Sequence, residues 1–376
     1  MSLQKKNLLA VLIMVKDEEK SISVTINSIK DLIKNIIVFD TGSTDNTISV
    51  IKNTCQNNNI KLYLKTGTFK SFPESRNEAL EFANDLPFEF LLLMDGGDEL
   101  KFSKTKIELI KMLSSIPSNY NFGIVKQQWL DKNGISDHSD IRFVRNIKTC
   151  RYDINYPVHE QFTDAVSSLI INLCDFFILF QDRGKYAEST NSRYKKDIKL
   201  LLDAPKNKRN LYFLAQSYMS IDDYENGYKY NKLSLESDGT CFTDEKFTYV
   251  RVGYCAMRCG MAKKTIFYYL LKAISCNEPP IDAYIYILRY SIDNNCAKDA
   301  ITYVEDLYNL KFPTEITLIN YEFYNYTRYH LISIVCLLCN EKLDLGFEAC
   351  KKAISYKNHQ DDLQNINLFP QMIWNL

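Results

Sequence analysis

The stretch Phe88-Glu89-Phe90-Leu91-Leu92-Leu93-Met94-Asp95-Gly96-Gly97-Asp98-Glu99-Leu100 decides how the rest of this chain is read. Its continuous apolar run fits a strand covered on both faces, as in a parallel sheet. The run stops abruptly in carboxylates and glycines. The C-terminal end of such a strand is where open α/β sheets place their ligands. Two aspartates and a glutamate there, with two glycines that let backbone come close, suit oxygen ligation of a divalent cation. The plainer alternative is a capped turn in which Asp98 and Glu99 start the next helix.

Upstream, strands and helices alternate. Leu8 to Val15 is a buried-strand pattern, followed by a helix capped by Ser21 or Ser23 and running to about Leu32. Asn35 to Phe39 is a second strand, with a helix after it to about Cys55. Lys61 to Leu64 is a short third strand, and Pro73 opens a helix to Asn84. This alternation predicts a parallel sheet with right-handed crossovers. Asp40 directly follows the second strand, so its carboxylate is expected at the sheet's C-terminal edge, where it can accept from a base N–H or ribose hydroxyls. Asp45 reads instead as a turn builder and helix cap.

Downstream, Phe122 to Trp129 reads as a strand, then a polar turn over Asp131-Lys132-Asn133-Gly134. Ile141-Arg142-Phe143-Val144-Arg145-Asn146 alternates apolar and basic residues. Its basic face suits a pyrophosphate or an acidic acceptor, and a solvated edge strand explains it equally. Asp175 to Phe180 is a further apolar strand.

With 376 residues the chain is long enough for two or three domains. Acidic and basic residues balance at 46 each, which gives no electrostatic case for a nucleic-acid or membrane-surface partner. Eleven cysteines are scattered, and pairs such as Cys255 and Cys259 fall in helical patterns that suit buried thiols, so a reducing compartment is expected. Leu8 to Val15 is too short for a membrane span and runs straight into Lys16-Asp17-Glu18-Glu19 without a cleavage pattern. A soluble cytoplasmic protein without signal peptide or transmembrane helix is the expectation.

Four pieces occur in an order that resembles family 2 glycosyltransferases: Lys16-Asp17-Glu18-Glu19, Val38-Phe39-Asp40-Thr41-Gly42-Ser43-Thr44-Asp45-Asn46-Thr47, Ser75-Arg76-Asn77 and Leu93 to Leu100. The resemblance implies a GT-A fold that binds a nucleotide-sugar donor, with Asp17 and Glu18 near the nucleotide and Asp40 reading the base, usually uracil. It implies that Arg76 helps hold the diphosphate or the metal-binding aspartate, through paired donors that match phosphate oxygens. Asp95 falls on the first aspartate of the family's D-x-D motif. Gly97 stands where the second belongs, so Mn2+ or Mg2+ would need Asp98 to swing in, or metal affinity is reduced, or catalytic power is lost.

Val158-His159-Glu160 is similar to a V-H-E found in the repeat-bearing branch of that family. By the resemblance His159 is a further metal ligand or diphosphate donor and Glu160 a site acid. Inverting transfer needs a carboxylate at the attacking hydroxyl. Asp137, Asp140, Asp153 and Glu160 are candidates by position, with Glu160 favoured for the motif around it. Arg183 and Lys185, with Arg193, Lys195 and Lys196 beyond, suit closure over the donor phosphates; a solvated helix face explains them as well.

From Tyr194 the strand signals stop. Leu211 to Tyr218 followed by Asp223 to Gly227 resembles a tetratricopeptide repeat, with small residues where paired helices cross, and looser copies follow around Val252 to Ala273, Tyr284 to Ala300 and Glu322 to Ala353. The division expected is a GT-A domain over residues 1–190 and a TPR-like helical domain over residues 191–376. Together they imply an inverting, metal-assisted transferase that uses a uridine diphosphate sugar. Its acceptor is a protein or glycan presented by the repeat domain, which is also a candidate for homodimer formation. The rival is a catalytically impaired scaffold that binds nucleotide and no longer transfers sugar.

Overall fold

A computed structural model of the protein describes residues 7–131, 134–163, 165, 168–182, 190–239, 245–313 and 320–369. The chain forms two compact units, Met1–Arg193 and Tyr194–Leu376.

The first unit is α/β. Strands β1 (Asn7–Val15), β2 (Asn35–Asp40), β3 (Lys61–Thr66) and β4 (Phe88–Met94) alternate with helices α1 (Ile22–Ile29), α2 (Thr47–Asn57) and α3 (Phe72–Asn84). All pairings among these strands are parallel, in the order β3-β2-β1-β4. Successive side chains of a strand face opposite ways. Val11, Ile13 and Val15 therefore pack on Ile22, Ile26 and Ile29 of α1. Ala10 and Leu12 pack on Ala79, Leu80 and Ala83 of α3. Both faces are covered, which is why Leu91 to Leu93 needs no polar alternation.

Beyond β4 the sheet changes character. A long hairpin, β6 (Tyr120–Asp131) and β7 (Gly134–Arg145), places β7 antiparallel against β4, with Leu91 opposite Val144. The described residues make a nine-stranded mixed sheet, mostly parallel, completed by β5 (Glu99–Lys101), β8 (Leu169–Asn172) and β9 (Ile178–Asp182). This is the GT-A-type architecture that the motifs imply.

Three expectations are corrected. Glu99 enters β5, paired with Phe180 of β9, instead of starting a helix. The strand read from Asp175 begins at Ile178, because the amides of Phe176 and Phe177 turn back on the Leu173 carbonyl. The strand carrying Arg142 and Arg145 is not a solvated edge: β4 and β6 flank it on either side. Between β5 and β6 lies α4 (Lys106–Ser115), started by a capping box in which Thr105 and Glu108 exchange hydrogen bonds with each other's amides.

The second unit is helical: it takes most of α5 (Thr190–Asp203), then α6 (Lys208–Met219), α7 (Tyr224–Glu236), α8 (Glu245–Arg258), α9 (Lys263–Ile274), α10 (Ile281–Asp293), α11 (Val304–Asn309), α12 (Arg328–Cys339), α13 (Leu343–Tyr356) and α14 (Gln360–Asn365). Three glycines mark close helix crossings. A Cβ on Gly227 would meet Met219, one on Gly253 would meet Leu270, and one on Gly346 would meet Cys336 and Phe369, each at under 3.0 Å. Tyr284, Tyr324, Tyr326 and Tyr329 are buried in the continuous core, so packing accounts for these tyrosines. No helix among the described residues is long and apolar enough to cross a membrane.

Candidate active site

The order β3-β2-β1-β4 reverses direction at β1, which opens a crevice at the strands' C-terminal ends. Residues from the ends of β1, β2 and β4 converge there. The loop after β1 is stitched to the loop after β2. Asp17 donates its amide to Ser43 Oγ (3.0 Å) and accepts from the Thr44 amide (2.7 Å). The Glu18 amide donates to Thr47 Oγ1 (2.7 Å), and the Glu19 amide to Asp45 Oδ2 (3.1 Å). Asp17 has φ of 54°, the left-handed geometry that lets the chain turn over the sheet edge. Two motifs far apart in sequence are thus one structure.

Asp40 sits under this structure, 2% exposed. Its carboxylate accepts from the amides of Gly42 (3.2 Å) and Ser43 (3.2 Å) and from the Ser43 hydroxyl. These bonds shape the loop after β2. Asp45 caps locally, accepting from the Thr47 amide at 2.9 Å.

The loop after β4 packs directly against this pair. A Cβ on Gly96 would meet the Glu18 carboxyl at 2.8 Å, so glycine is what lets Glu18 lie there. Burial raises the Glu18 pKa, the Ser21 hydroxyl works against that rise, and Asp95 adds to it. Gly97 has φ of 90° and donates its amide to Thr25 Oγ1 of α1 at 2.9 Å. Its left-handed geometry and lack of side chain serve the turn.

Asp95 is the hub. Arg76 Nη2 donates to Oδ1 at 3.0 Å and Arg142 Nη1 to Oδ2 at 2.8 Å. Burial opposes the charge on Asp95, but Arg142 and Arg76 outweigh it and hold the carboxyl well below the usual carboxylate range. Arg76 also bonds Glu160 Oε1 through Nε at 3.4 Å. Its neighbour Asn77 clamps the Tyr152 backbone in both directions, at 2.8 and 2.9 Å. The Ser-Arg-Asn motif therefore ties α3 to the strand end on one side and to the Tyr152–Glu160 segment on the other. Asp98 is buried and accepts the Asp95 amide at 2.8 Å. Burial, then the nearby Asp95 charge, pushes its carboxyl up to about 7.

A pocket of about 140 Å³ opens beside this hub, lined by Arg76, Asp140, Arg142, Tyr152, Glu160 and Gln161 among others. Glu160 and Asp140, two of the four candidate bases, both line this pocket. Asp140 Oδ1 accepts its neighbour's amide, from Ile141, at 2.7 Å. His159 has φ of 55° in the turn before Glu160 and is exposed.

The expected metal set of Asp95, Asp98 and His159 is not gathered. Both Asp95 oxygens are held by guanidinium groups, Asp98 turns back onto its own loop, and Gly97 has no side chain to offer. Among the described residues no group of three His, Cys, Asp or Glu is arranged to hold a metal ion. Arg183 and Lys185 lie outside the described residues. The hub includes Arg142, which the sequence placed on a basic strand face suited to a pyrophosphate but not at Asp95. Its signal was the alternation Ile141-Arg142-Phe143, which sets a guanidinium between two apolar residues of the strand.

Open α/β sheets place their ligands in the crevice at such a switch point. Comparison with known proteins goes further. Residues 10–154 match the family described as Glycosyl transferase family 2. The SPbeta prophage-derived glycosyltransferase SunS of Bacillus subtilis (strain 168) is 25% identical over 231 residues, covering 60% of this chain and 52% of the relative. Glycosyltransferase SunS of Bacillus phage SPbeta matches to the same extent. The chain thus spans about half the length of these relatives. Among solved structures, S. aureus TarS 1-349 in complex with UDP-GlcNAc aligns over 98% of this chain and 92% of that one, at 14% identity and a TM-score of 0.35.

Proposed function

We propose that the N-terminal unit transfers a sugar from a nucleotide-sugar donor, a uridine diphosphate sugar, to a hydroxyl or other nucleophile on a protein or glycan. The observation that carries this reading is the convergence of four separated motifs at one sheet edge. The loops after β1 and β2 interlock, Glu18 abuts Gly96, and Arg76 ties Asp95 to Glu160. The nucleoside is assigned to the Asp17–Asp40 loops and the diphosphate to the Asp95 loop.

Transfer is a single displacement. The acceptor oxygen attacks the anomeric carbon, the bond from that carbon to the diphosphate oxygen breaks, and configuration inverts. The acceptor's proton goes to a carboxylate within hydrogen-bond reach. Glu160 and Asp140 are the pair from which that base is drawn, since both line the pocket. Arg76 keeps Glu160 oriented. The helical unit is assigned to acceptor selection, and its glycine-crossed helix pairs support a repeat-type stack.

One observation favours the second reading, a nucleotide-binding scaffold without turnover: both oxygens of Asp95 are occupied and Gly97 replaces a carboxylate. Release of nucleoside diphosphate from a panel of nucleotide sugars, with and without manganese or magnesium, separates the two. Turnover that drops in Glu160→Gln or Asp140→Asn supports transfer and names the base. Nucleotide binding without turnover under any condition establishes the scaffold.

A further inference from the structure

Arg142 carries a feature that its structural role leaves unexplained. Its Nη1 holds Asp95, but its Nε is buried and has no hydrogen-bond partner among the described residues. Buried donors are nearly always satisfied, because leaving one unmet forfeits its solvation without return. Arg142 also lines the pocket beside Arg76, so an acceptor entering there would meet two guanidinium groups fixed by one carboxylate. Guanidinium forks match oxyanions in geometry as well as charge.

We propose that Arg142 is an oxyanion-binding residue, and that the Arg76–Asp95–Arg142 cluster receives the donor's diphosphate without a divalent cation. This rests on the assignment of a nucleotide-sugar donor above. Asp95 then acts as the organiser of two arginines and not as a metal ligand. Three observations agree with that role: each of its oxygens faces a guanidinium, the position two residues on is Gly97, and Asp98 spends its carboxylate on the Asp95 amide. Glu160, on the far side of Arg76, keeps that guanidinium from swinging away. A phosphate or carboxylate on the acceptor would satisfy the same donors, so the test must tell the two sources apart.

The test is calorimetric titration of uridine, UDP and inorganic pyrophosphate into the full chain in EDTA, repeated with manganese. The same ligands are titrated into Arg142→Lys and Arg142→Gln. Arg145→Lys is the control, since Arg145 lies on the same strand but pairs with Glu89. UDP is expected to bind in EDTA, with affinity about tenfold or more lower in both Arg142 variants and unchanged in the control. Uridine affinity should not move with Arg142, which a merely structural role would not spare. Binding of UDP only with manganese overturns the proposal while leaving the nucleotide-sugar reading intact. So does UDP binding in EDTA that Arg142 variants do not change, which would give the arginine to the acceptor. Failure of uridine, UDP and pyrophosphate alike in both conditions overturns both.

Discussion

The two units commit their polar residues differently. In the N-terminal unit, buried or half-buried Asp40, Asp95, Asp98, Arg76 and Arg142 converge at one sheet edge and bond mostly to one another. In the helical unit the defining contacts are steric, such as Gly253 against Leu270 and Gly346 against Cys336 and Phe369. Low tolerance for unpaired charge governs the first unit, and low tolerance for added volume governs the second.

Breaking the hub should have the largest effect. Asp95→Ala leaves two guanidinium groups without their shared carboxylate, and donor turnover is expected to fall by about a hundred- to a thousandfold. Steady-state assay of nucleoside diphosphate release checks this. Next in size is a cavity under the same site: Phe90 is fully buried and stacked on Phe143. Phe90→Ala is expected to cost about 3–5 kcal/mol in denaturant unfolding of the N-terminal unit. The matching test in the helical unit adds volume. Gly253→Val forces apart helices already in contact at Leu270 and should cost about 1–3 kcal/mol, while uridine diphosphate affinity per folded molecule stays as in wild type. If Gly253→Val abolished nucleotide binding, the separation of roles would fail.

The smallest expected effect is a slope with pH. The Asp98 carboxyl is raised above its unfolded value by burial, so its charged form opposes folding. Stability contributed by the neutral form is full below the unfolded pKa and is lost as pH rises through about 7. Asp98→Asn keeps an acceptor for the Asp95 amide and should flatten the stability curve of this unit between about pH 4 and 7, read by thermal unfolding across buffers spanning that range.

The same contrast explains what the sequence revealed. The parallel half was legible because local signals agreed: apolar runs at Leu8, Asn35 and Phe88, each followed by a polar loop and a helix. The GT-A-type sheet and the helical second unit followed from that and from the motifs. The capping box at Thr105 and Glu108 was legible too and went unread. Other features had no local signature. The short strand at Glu99 exists because β9 lies beside it, a pairing across some 80 residues of chain that no window contains. Arg142 became a site residue only when β7 was placed against β4, which aims it at Asp95. The metal expectation already gave Arg76 to the diphosphate or the metal-binding aspartate; the second guanidinium at Asp95, that of Arg142, is what the sequence did not show.

The claim that most depends on structure is that four separated segments form a single nucleotide site. Hydrogen–deuterium exchange of the full chain with and without saturating UDP tests it directly. Exchange is expected to slow in the loops following Val15, Asp40 and Met94, together with the start of α3 around Arg76, in one concerted response. Protection confined to the helical unit, or to one of these loops alone, would contradict it.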